Sequence, residues 1–256
     1  MNRTPHELAR LTLACLDLTR LNDSDDEAAV AALCASARSR HGDAAAVCIW
    51  PRFVAQARAA LPQSIHVAAV ANFPDGALDV SRALREAAAI VEAGGDEIDL
   101  VLPWRALLAG EHRACAKLVA AVRRALASAT LKLIVESGEL DDDPAIRTAC
   151  ELGLDEGVDF LKTSTGKTAR SATPRAARTM LQTIAHHARR DVAGFKVSGG
   201  VRSVLDAGIY VALVNEILGA KALTPARFRI GASSLLADIE SVLDGRAAPG
   251  SPGAGY

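Results

Sequence analysis

Lys162 and Lys196 are the two residues of this chain whose type and setting most directly indicate chemistry. Each lies in a short apolar run that ends in small, polar and glycine-rich sequence, at residues 160–166 and 194–200. Such runs are typical of buried strands, and a buried ammonium group is costly unless it is paired. Burial beside a second cation favours the neutral amine, a nucleophile that condenses with carbonyl groups to form a Schiff base. The two segments therefore predict carbinolamine and imine chemistry.

Length, composition and charge limit the class of protein. The chain has 256 residues, of which half are hydrophobic, and a formal net charge of -1. It is long enough to bury a substantial core in one domain over residues 1–256. Charges of both signs are spread along the chain without a basic block, so we expect no nucleic-acid partner. Apolar runs stay short of the roughly 18 to 20 residues of a membrane span, and the first residues lack the apolar core of a signal peptide. We therefore expect a cytoplasmic protein without a membrane partner.

The cysteines and histidines of the sequence do not form a metal-binding or disulfide pattern. The five cysteines are odd in number and scattered, and they contain no C-x-x-C pair, which indicates reduced thiols. The six histidines do not pair with Asp or Cys at the spacing of metal ligands. We therefore expect no disulfide framework and no bound metal ion.

Strand-like and helix-like segments alternate along the chain. The predicted strands are residues 13–18, 45–50, 66–72, 97–102, 132–137, 160–164, 194–198 and 228–231. Eight such strands in about 250 residues predict a (β/α)8 TIM barrel of the α/β class. The alternative is an open doubly wound sheet, which would more often carry a glycine-rich phosphate fingerprint after its first strand; residues 17–22 have no such glycines. We expect a short helix before the barrel, beginning near Thr4 and Pro5, and a mobile tail at residues 245–256.

Polar residues gather at the predicted strand ends, where the active sites of such barrels lie. These residues are Asp17, Thr19, Cys48, Asn72, Asp99, Glu136, Lys162, Ser164, Lys196 and Ser198. Asp99 is flanked by apolar residues and needs a partner, which Lys162 and Lys196 can supply. A purely structural layer of internal ion pairs is the alternative for these lysines. For Lys132, which also alternates inward, a buried ion pair is the favoured interpretation.

Two glycine-bearing loops, after the seventh and eighth predicted strands, have the composition of an anion site. The second of them opens a helix, and barrels frequently bind phosphate at this position. The residues after the sixth strand would add a third wall with a cationic side chain. The alternatives are that the glycines only make tight turns and that Cys48 is a buried small hydrophobe. The candidate substrate-binding residues are Asp17, Thr19, Cys48, Thr165, Gly166, Lys167, Gly199, Gly200, Val201, Arg202, Gly231, Ser233 and Ser234.

Eight segments of the sequence resemble, in order, the 2-deoxyribose-5-phosphate aldolase family. They are residues 16–19, 47–53, 72–74, 96–99, 136–140, 160–167, 196–202 and 229–234. The Lys-Thr-Ser-Thr-Gly run at residues 162–166 is highly specific in this setting. One departure is Val197-Ser198, where some members of the family have Pro-Ala. The resemblance extends over nearly the whole chain, from about residue 10 to residue 240.

The resemblance implies a class I aldolase of (β/α)8 fold that reversibly cleaves 2-deoxy-D-ribose 5-phosphate to acetaldehyde and D-glyceraldehyde 3-phosphate. It implies a role in deoxynucleoside catabolism, no metal or organic cofactor, phosphosugar and aldehyde substrates, and a homodimer. Carried over by motif, Lys162 is the Schiff-base lysine and Lys196 the second lysine, which favours its neutral form. Asp99 works with Lys196 and a water in proton relay, and Tyr256 helps to move the methyl proton of acetaldehyde.

Three other functions are alternatives, of which two fit the same residues. One is a Schiff-base aldolase that acts on a longer ketose phosphate. Another is a phosphate-binding isomerase or epimerase in which the lysines stabilise charge. The third, a non-catalytic barrel, predicts a lost nucleophile, whereas Lys162, Lys196 and Asp99 are all present.

Overall fold

A closed barrel of eight parallel strands forms the centre of the computed structural model, which describes residues 3–126, 128–140 and 142–246. The strands are β1 Leu16–Thr19, β2 Ala46–Ile49, β3 His66–Ala71, β4 Glu97–Val101, β5 Thr130–Ile134, β6 Phe160–Lys162, β7 Gly194–Ser198 and β8 Phe228–Ala232. The barrel closes because β1 pairs with β8 on one side and with β2 on the other. This closure confirms the (β/α)8 prediction and excludes the open doubly wound sheet.

Helices surround the barrel and cover the outer faces of its strands. They are α1 Pro5–Ala14, α2 Glu27–Ser36, α3 Val54–Ala60, α4 Val80–Glu92, α5 Trp104–Leu108, α6 His112–Ala125, α7 Asp143–Asp155, α8 Pro174–His186, α9 Val204–Ile217 and α10 Leu235–Leu243. The predicted start of α1 is confirmed: the Thr4 side chain accepts from the N–H of Glu7, and the Glu7 side chain accepts from the N–H of Thr4. In the described ranges, we find no helix long and apolar enough to span a membrane.

Most predicted strand boundaries lie within two residues of the observed ones, and two are wrong by three residues. The first strand begins at Leu16, because Leu13 belongs to α1, whose cap is Cys15. The fifth strand ends at Ile134 and not at residue 137, since Glu136 has a left-handed backbone with φ of 54°, which ends the extended run. The predicted tail lies mostly outside the described residues, which end at Arg246, and so does Tyr256. The single-domain interpretation of residues 1–256 stays a prediction.

The strand register decides which side chains meet inside the barrel. Lys162 of β6 lies opposite Lys196 of β7, and Lys196 lies opposite Arg229 of β8. On the other side, Asp99 of β4 lies opposite Lys132 of β5. Because side chains alternate between the two faces of a strand, these residues all point into the barrel. The register therefore gathers basic and acidic groups from most of the strands in the barrel interior.

Candidate active site

Lys162 and Lys196 share one carboxylate oxygen at the centre of the barrel. Each lysine Nζ lies 2.7 Å from Oδ2 of Asp99. Lys162 is 2% exposed, and Asp99 and Lys196 are completely buried. The sequence predicted that Asp99 would pair with these lysines, and the structure brings the three side chains together.

Asp17 connects this centre to the eighth strand. Its Oδ2 lies 2.5 Å from Nζ of Lys196, and its Oδ1 accepts from Nη1 of Arg229 at 2.6 Å. Asp17 is completely buried among these cations. It therefore lies deeper than the substrate-binding position that the sequence suggested for it.

A second set of ion pairs lies on the side of this centre that faces away from the carboxyl ends of the strands. Lys132 Nζ lies 2.5 Å from Glu97 Oε2 and 2.8 Å from Asp99 Oδ1. The Arg229 guanidinium forms two hydrogen bonds with Glu97, of 2.7 and 3.2 Å. The buried ion pair favoured for Lys132 is present in the structure. Such networks are costly to break, because each remaining charge is left without its partner in a low-dielectric interior.

These contacts determine the charge states of the central groups. Burial alone would raise the pKa of Asp99, but Lys132, Lys162 and Lys196 outweigh it and hold this pKa well below its usual value. Burial alone would lower the pKa of Lys196, but the carboxylates of Asp17 and Asp99 raise it above its usual value. At neutral pH, Asp99 is therefore a carboxylate and Lys196 an ammonium group.

A cavity of about 400 Å³ opens above Lys162 at the carboxyl ends of the strands. Most of the residues that the sequence proposed for the site line it: Thr19, Lys162, Thr165, Gly166, Lys167, Gly199, Gly200, Val201, Arg202, Gly231, Ser233 and Ser234. Of the three clustered lysines, Lys162 reaches this cavity, whereas Lys132 and Lys196 are enclosed beneath it. The arrangement places one amine where a small carbonyl compound can contact it.

Cys48 lies beneath the cavity. It is completely buried, and its Sγ lies 3.6 Å from Oδ2 of Asp99. Burial, together with the negative charge of Asp99, raises the pKa of the thiol. Cys48 therefore packs against the ionic centre as a neutral thiol and does not line the wall of the cavity.

The loops after β7 and β8 have the backbone that an anion site requires. Gly199 and Gly200 have φ values of 86° and 85°, a region that side chains rarely tolerate. Helix α10 begins directly after Ser234, which makes no side-chain capping bond. The first N–H groups of α10 are therefore free of a side-chain cap and can bind a phosphate. Ser198 donates its hydroxyl to the carbonyl oxygen of Ser164 at 2.5 Å.

Two groups of site residues were missed by the sequence reasoning. Glu97 and Arg229 precede Asp99 and Gly231 by two residues, so strand alternation alone would have placed them inside the barrel. The β1–α2 loop also lines the cavity, through Arg20, Leu21 and Asn22. No pattern of spacing predicts this second contribution, because it depends on how the loop folds over the barrel.

Metal-ligating side chains are not grouped in the described ranges: no set of three or more His, Cys, Asp or Glu residues there could hold a metal ion. The acidic residues inside the barrel instead contact lysine and arginine.

Comparisons with known proteins identify one family. The model of the DeoC/LacD family aldolases matches residues 11–241. A curated protein of Agrobacterium fabrum, named deoxyribose-phosphate aldolase, is 46% identical over 255 residues, which cover 98% of this chain and 97% of that protein.

Solved structures show the same architecture. One, described as a unique tetrameric structure of deoxyribose phosphate aldolase from Aeropyrum pernix, has a TM-score of 0.72 and 26% identity, and the match covers 93% of this chain and 92% of that one. A crystal structure from Toxoplasma gondii ME49 has a TM-score of 0.87 and 23% identity, with coverage of 95% and 96%. The second likeness concerns the fold alone.

Proposed function

The chain belongs to the DeoC/LacD family of aldolases, and from this premise we propose that it is a class I aldolase acting on 2-deoxy-D-ribose 5-phosphate. The reaction is the reversible cleavage of this sugar to acetaldehyde and D-glyceraldehyde 3-phosphate. The observation that carries the proposal is the amine of Lys162, which lines the cavity and lies 2.7 Å from a carboxylate shared with a second lysine.

The charges of the buried cluster favour Lys162 as the nucleophile. In the described structure, the ion pairs at the centre of the barrel join three carboxylates and four basic side chains: Asp17, Glu97 and Asp99 with Lys132, Lys162, Lys196 and Arg229. The charges of these seven groups cancel when one amine is neutral. Lys162 contacts one carboxylate oxygen, which Lys196 also contacts. Of the three lysines, Lys162 therefore loses the fewest ion pairs when its amine is neutral. A neutral amine is the reactive species.

The reaction starts when Nζ of Lys162 attacks C1 of the open-chain aldehyde, and loss of water from the carbinolamine gives a protonated imine. This imine accepts the electron pair of the C2–C3 bond as the bond breaks, which yields an enamine. The C3 hydroxyl gives up its proton to a water held by Asp99 and Lys196, and C3 becomes the aldehyde carbon of D-glyceraldehyde 3-phosphate. Protonation of the enamine at C2 and hydrolysis of the imine release acetaldehyde and restore Lys162.

The phosphate of the substrate would bind at the loops after β7 and β8. Gly199, Gly200 and Ser233 line the cavity on this side, next to the first turn of α10. An anchored phosphate fixes the far end of the sugar, so binding energy there positions C1 against Lys162. The same anchor favours a phosphosugar over a free sugar as the substrate.

We also propose three properties that rest on the resemblance. Tyr256, which lies outside the described residues, assists proton transfer at the acetaldehyde methyl group. The chain acts in the cytoplasm and forms a homodimer, although the relative from Aeropyrum pernix is described as tetrameric. Light scattering tests the assembly: a mass of twice the 26.7 kDa of one chain supports a dimer, and four times that mass refutes it.

Imine trapping tests the central proposal. The full chain is treated with acetaldehyde and borohydride, and the reduced adduct is located by peptide mass mapping. We expect the adduct on Lys162, and Lys162→Ala should lose both the adduct and turnover while its circular dichroism is retained. Lys167→Ala is the matched control, since Lys167 also lines the cavity and should not be needed for the adduct.

The outcomes separate the candidate functions. An adduct with cleavage of 2-deoxyribose 5-phosphate, but not of ketose bisphosphates, identifies the substrate. A folded protein that gives no adduct would exclude Schiff-base chemistry and favour an isomerase or epimerase. Turnover by Lys162→Ala would show that the nucleophile is wrongly assigned.

A further inference from the structure

Glu136 is a buried carboxylate beside the cavity to which the reaction above assigns no role. It follows β5 and is completely buried. Its side chain accepts two kinds of hydrogen bond from one residue, Thr165. The Thr165 hydroxyl donates to Oε2 at 2.6 Å, and the Thr165 N–H lies 3.2 Å from Oε1 and 3.3 Å from Oε2. Both side-chain oxygens of Glu136 are therefore directed to the loop after β6.

Thr165 connects Glu136 to the cavity wall. Its Oγ1, while donating to Glu136, accepts the N–H of Lys167 at 3.0 Å. Thr165, Gly166 and Lys167 all line the cavity. Gly166 has a φ of 77°, so the loop turns sharply here, and a Cβ at this position would meet no atom within 4 Å. The bonds of the Thr165 side chain connect this turn of the cavity wall to Glu136.

The backbone of Glu136 is unusual for its residue type. Its φ of 54° lies in the left-handed region, which glycine occupies far more readily than glutamate. Such a conformation persists only where the surrounding contacts over-determine it. Burial raises the pKa of Glu136, while the hydrogen bonds from Thr165 favour its carboxylate form. The chain thus places an acidic side chain at a point where glycine would be easier to accommodate.

We propose that Glu136 is a positioning residue that holds, through Thr165, the 165–167 loop in the place where it receives the phosphate end of the substrate. The proposal rests on the proposed function and deepens it. Lys167 supplies the cationic side chain of this loop, and its Nζ lies 3.9 Å from Oδ1 of the exposed Asp23. Glu136 does not itself touch the substrate; it sets where Lys167 and Gly166 lie when the sugar phosphate enters.

The experiment compares a phosphorylated with an unphosphorylated ligand. Glu136→Gln keeps the size of the side chain but replaces one acceptor oxygen with a donor, and Thr165→Val removes the hydroxyl. For each variant, kcat and KM are measured with 2-deoxyribose 5-phosphate, and the rate of borohydride trapping at Lys162 is measured with acetaldehyde, which has no phosphate. Glu139→Gln, a change of the same type in the same turn at a partly exposed position, is the matched control.

We expect KM for the phosphosugar to rise about tenfold or more in both variants, equivalent to about 1.4 kcal/mol of binding. We expect kcat to change less than about threefold and trapping by acetaldehyde less than about twofold, because Lys162 keeps its contacts. Glu139→Gln should match the wild type. The KM of the double variant should be no higher than that of the more impaired single variant, since both changes break the same connection.

Other results would overturn the proposal. An unchanged KM would show that the loop keeps its position without Glu136. An equal loss in turnover and in acetaldehyde trapping would place the effect at the nucleophile. If Glu136→Gln does not fold, Thr165→Val decides the matter alone by the same two measurements. The wild type serves as the reference. Its failure to cleave the phosphosugar would refute the proposed function and this inference together. Normal cleavage by the wild type, with unaffected variants, would refute the inference alone.

Discussion

Replacing Arg229 by methionine should destabilise the folded protein strongly, although Arg229 lies outside the cavity lining. Its side chain is 5% exposed and forms ion pairs with Asp17 at 2.6 Å and Glu97 at 2.7 Å. Methionine fills a similar volume but leaves both carboxylates short of a cation. Removing one partner from a buried ion network costs about 3–5 kcal/mol. Asp17 and Glu97 each keep a lysine at 2.5 Å, so the lower end of this range, about 3 kcal/mol, applies here.

Thermal unfolding followed by circular dichroism measures this effect. For a protein of this size, 1 kcal/mol corresponds to about 2–4 °C in Tm, so Arg229→Met should lower the Tm by about 6–12 °C. Arg178→Met is the matched control, because Arg178 also pairs with a glutamate through two bonds, of 2.6 and 3.0 Å, but on the surface. Exposed pairs are screened by solvent, so the control should change the Tm far less.

Arg229→Lys gives a graded comparison. Lysine retains the positive charge but cannot contact Asp17 and Glu97 through a planar guanidinium group. The Tm of Arg229→Lys should therefore lie between those of the wild type and Arg229→Met. A Tm for Arg229→Met equal to that of Arg178→Met would refute the reasoning. It would mean that the lysines alone satisfy the buried carboxylates.

Two further predictions concern the same interior. The pKa values of Asp17, Glu97 and Asp99 are lowered in the folded state, where lysine and arginine outweigh burial; their stabilisation is complete above the unfolded pKa of about 4 and is lost as the pH falls below it. Urea midpoints should therefore be flat from about pH 5 to pH 8 and fall below about pH 4, and a midpoint that rises on acidification would contradict this assignment of charges. Gly231→Ala should lower kcat by about tenfold or more, equivalent to about 1.4 kcal/mol, with the fold retained, because its Cβ would lie 3.1 Å from Lys196 Cε and 3.0 Å from Ser198 Cβ. Gly208→Ala, where the new Cβ meets the Leu8 side chain in the described structure, is the control and should keep full kcat; equal kcat values in the two variants would show that Lys196 does not need the space.

The fold could be predicted because its signal is local. Each barrel strand is a short apolar run bounded by turn residues, and the alternation of such runs with helical stretches is visible without any long-range information. The errors lie at element ends. Leu13 is apolar and continues the run of β1 in sequence, yet it lies in α1, which extends to Ala14. Strand and helix patterns are ambiguous over such short stretches, and packing decides between them.

The residue types and their alternation by themselves determined that Lys162, Lys196 and Asp99 face one interior, because a period of two is a property of any strand. The same alternation could not show which lysine reaches the cavity, since Lys132 also faces the interior. Only the stagger of the strands in the closed barrel decides this. Lys132 lies opposite Phe160, two residues before Lys162 on β6, and is therefore enclosed beneath the level from which Lys162 reaches the cavity.

Closure also decided the contacts between the two ends of the chain. Asp17 and Arg229 are 212 positions apart, and their ion pair exists because β1 and β8 are neighbours. The stretch of loop that completes the cavity, Arg20 to Asn22, was likewise fixed by folding across the barrel mouth. Short-range sequence patterns carry the periodicity of each strand, whereas the height and partner of each charged group depend on the hydrogen-bond register between strands, which exists only in the assembled barrel.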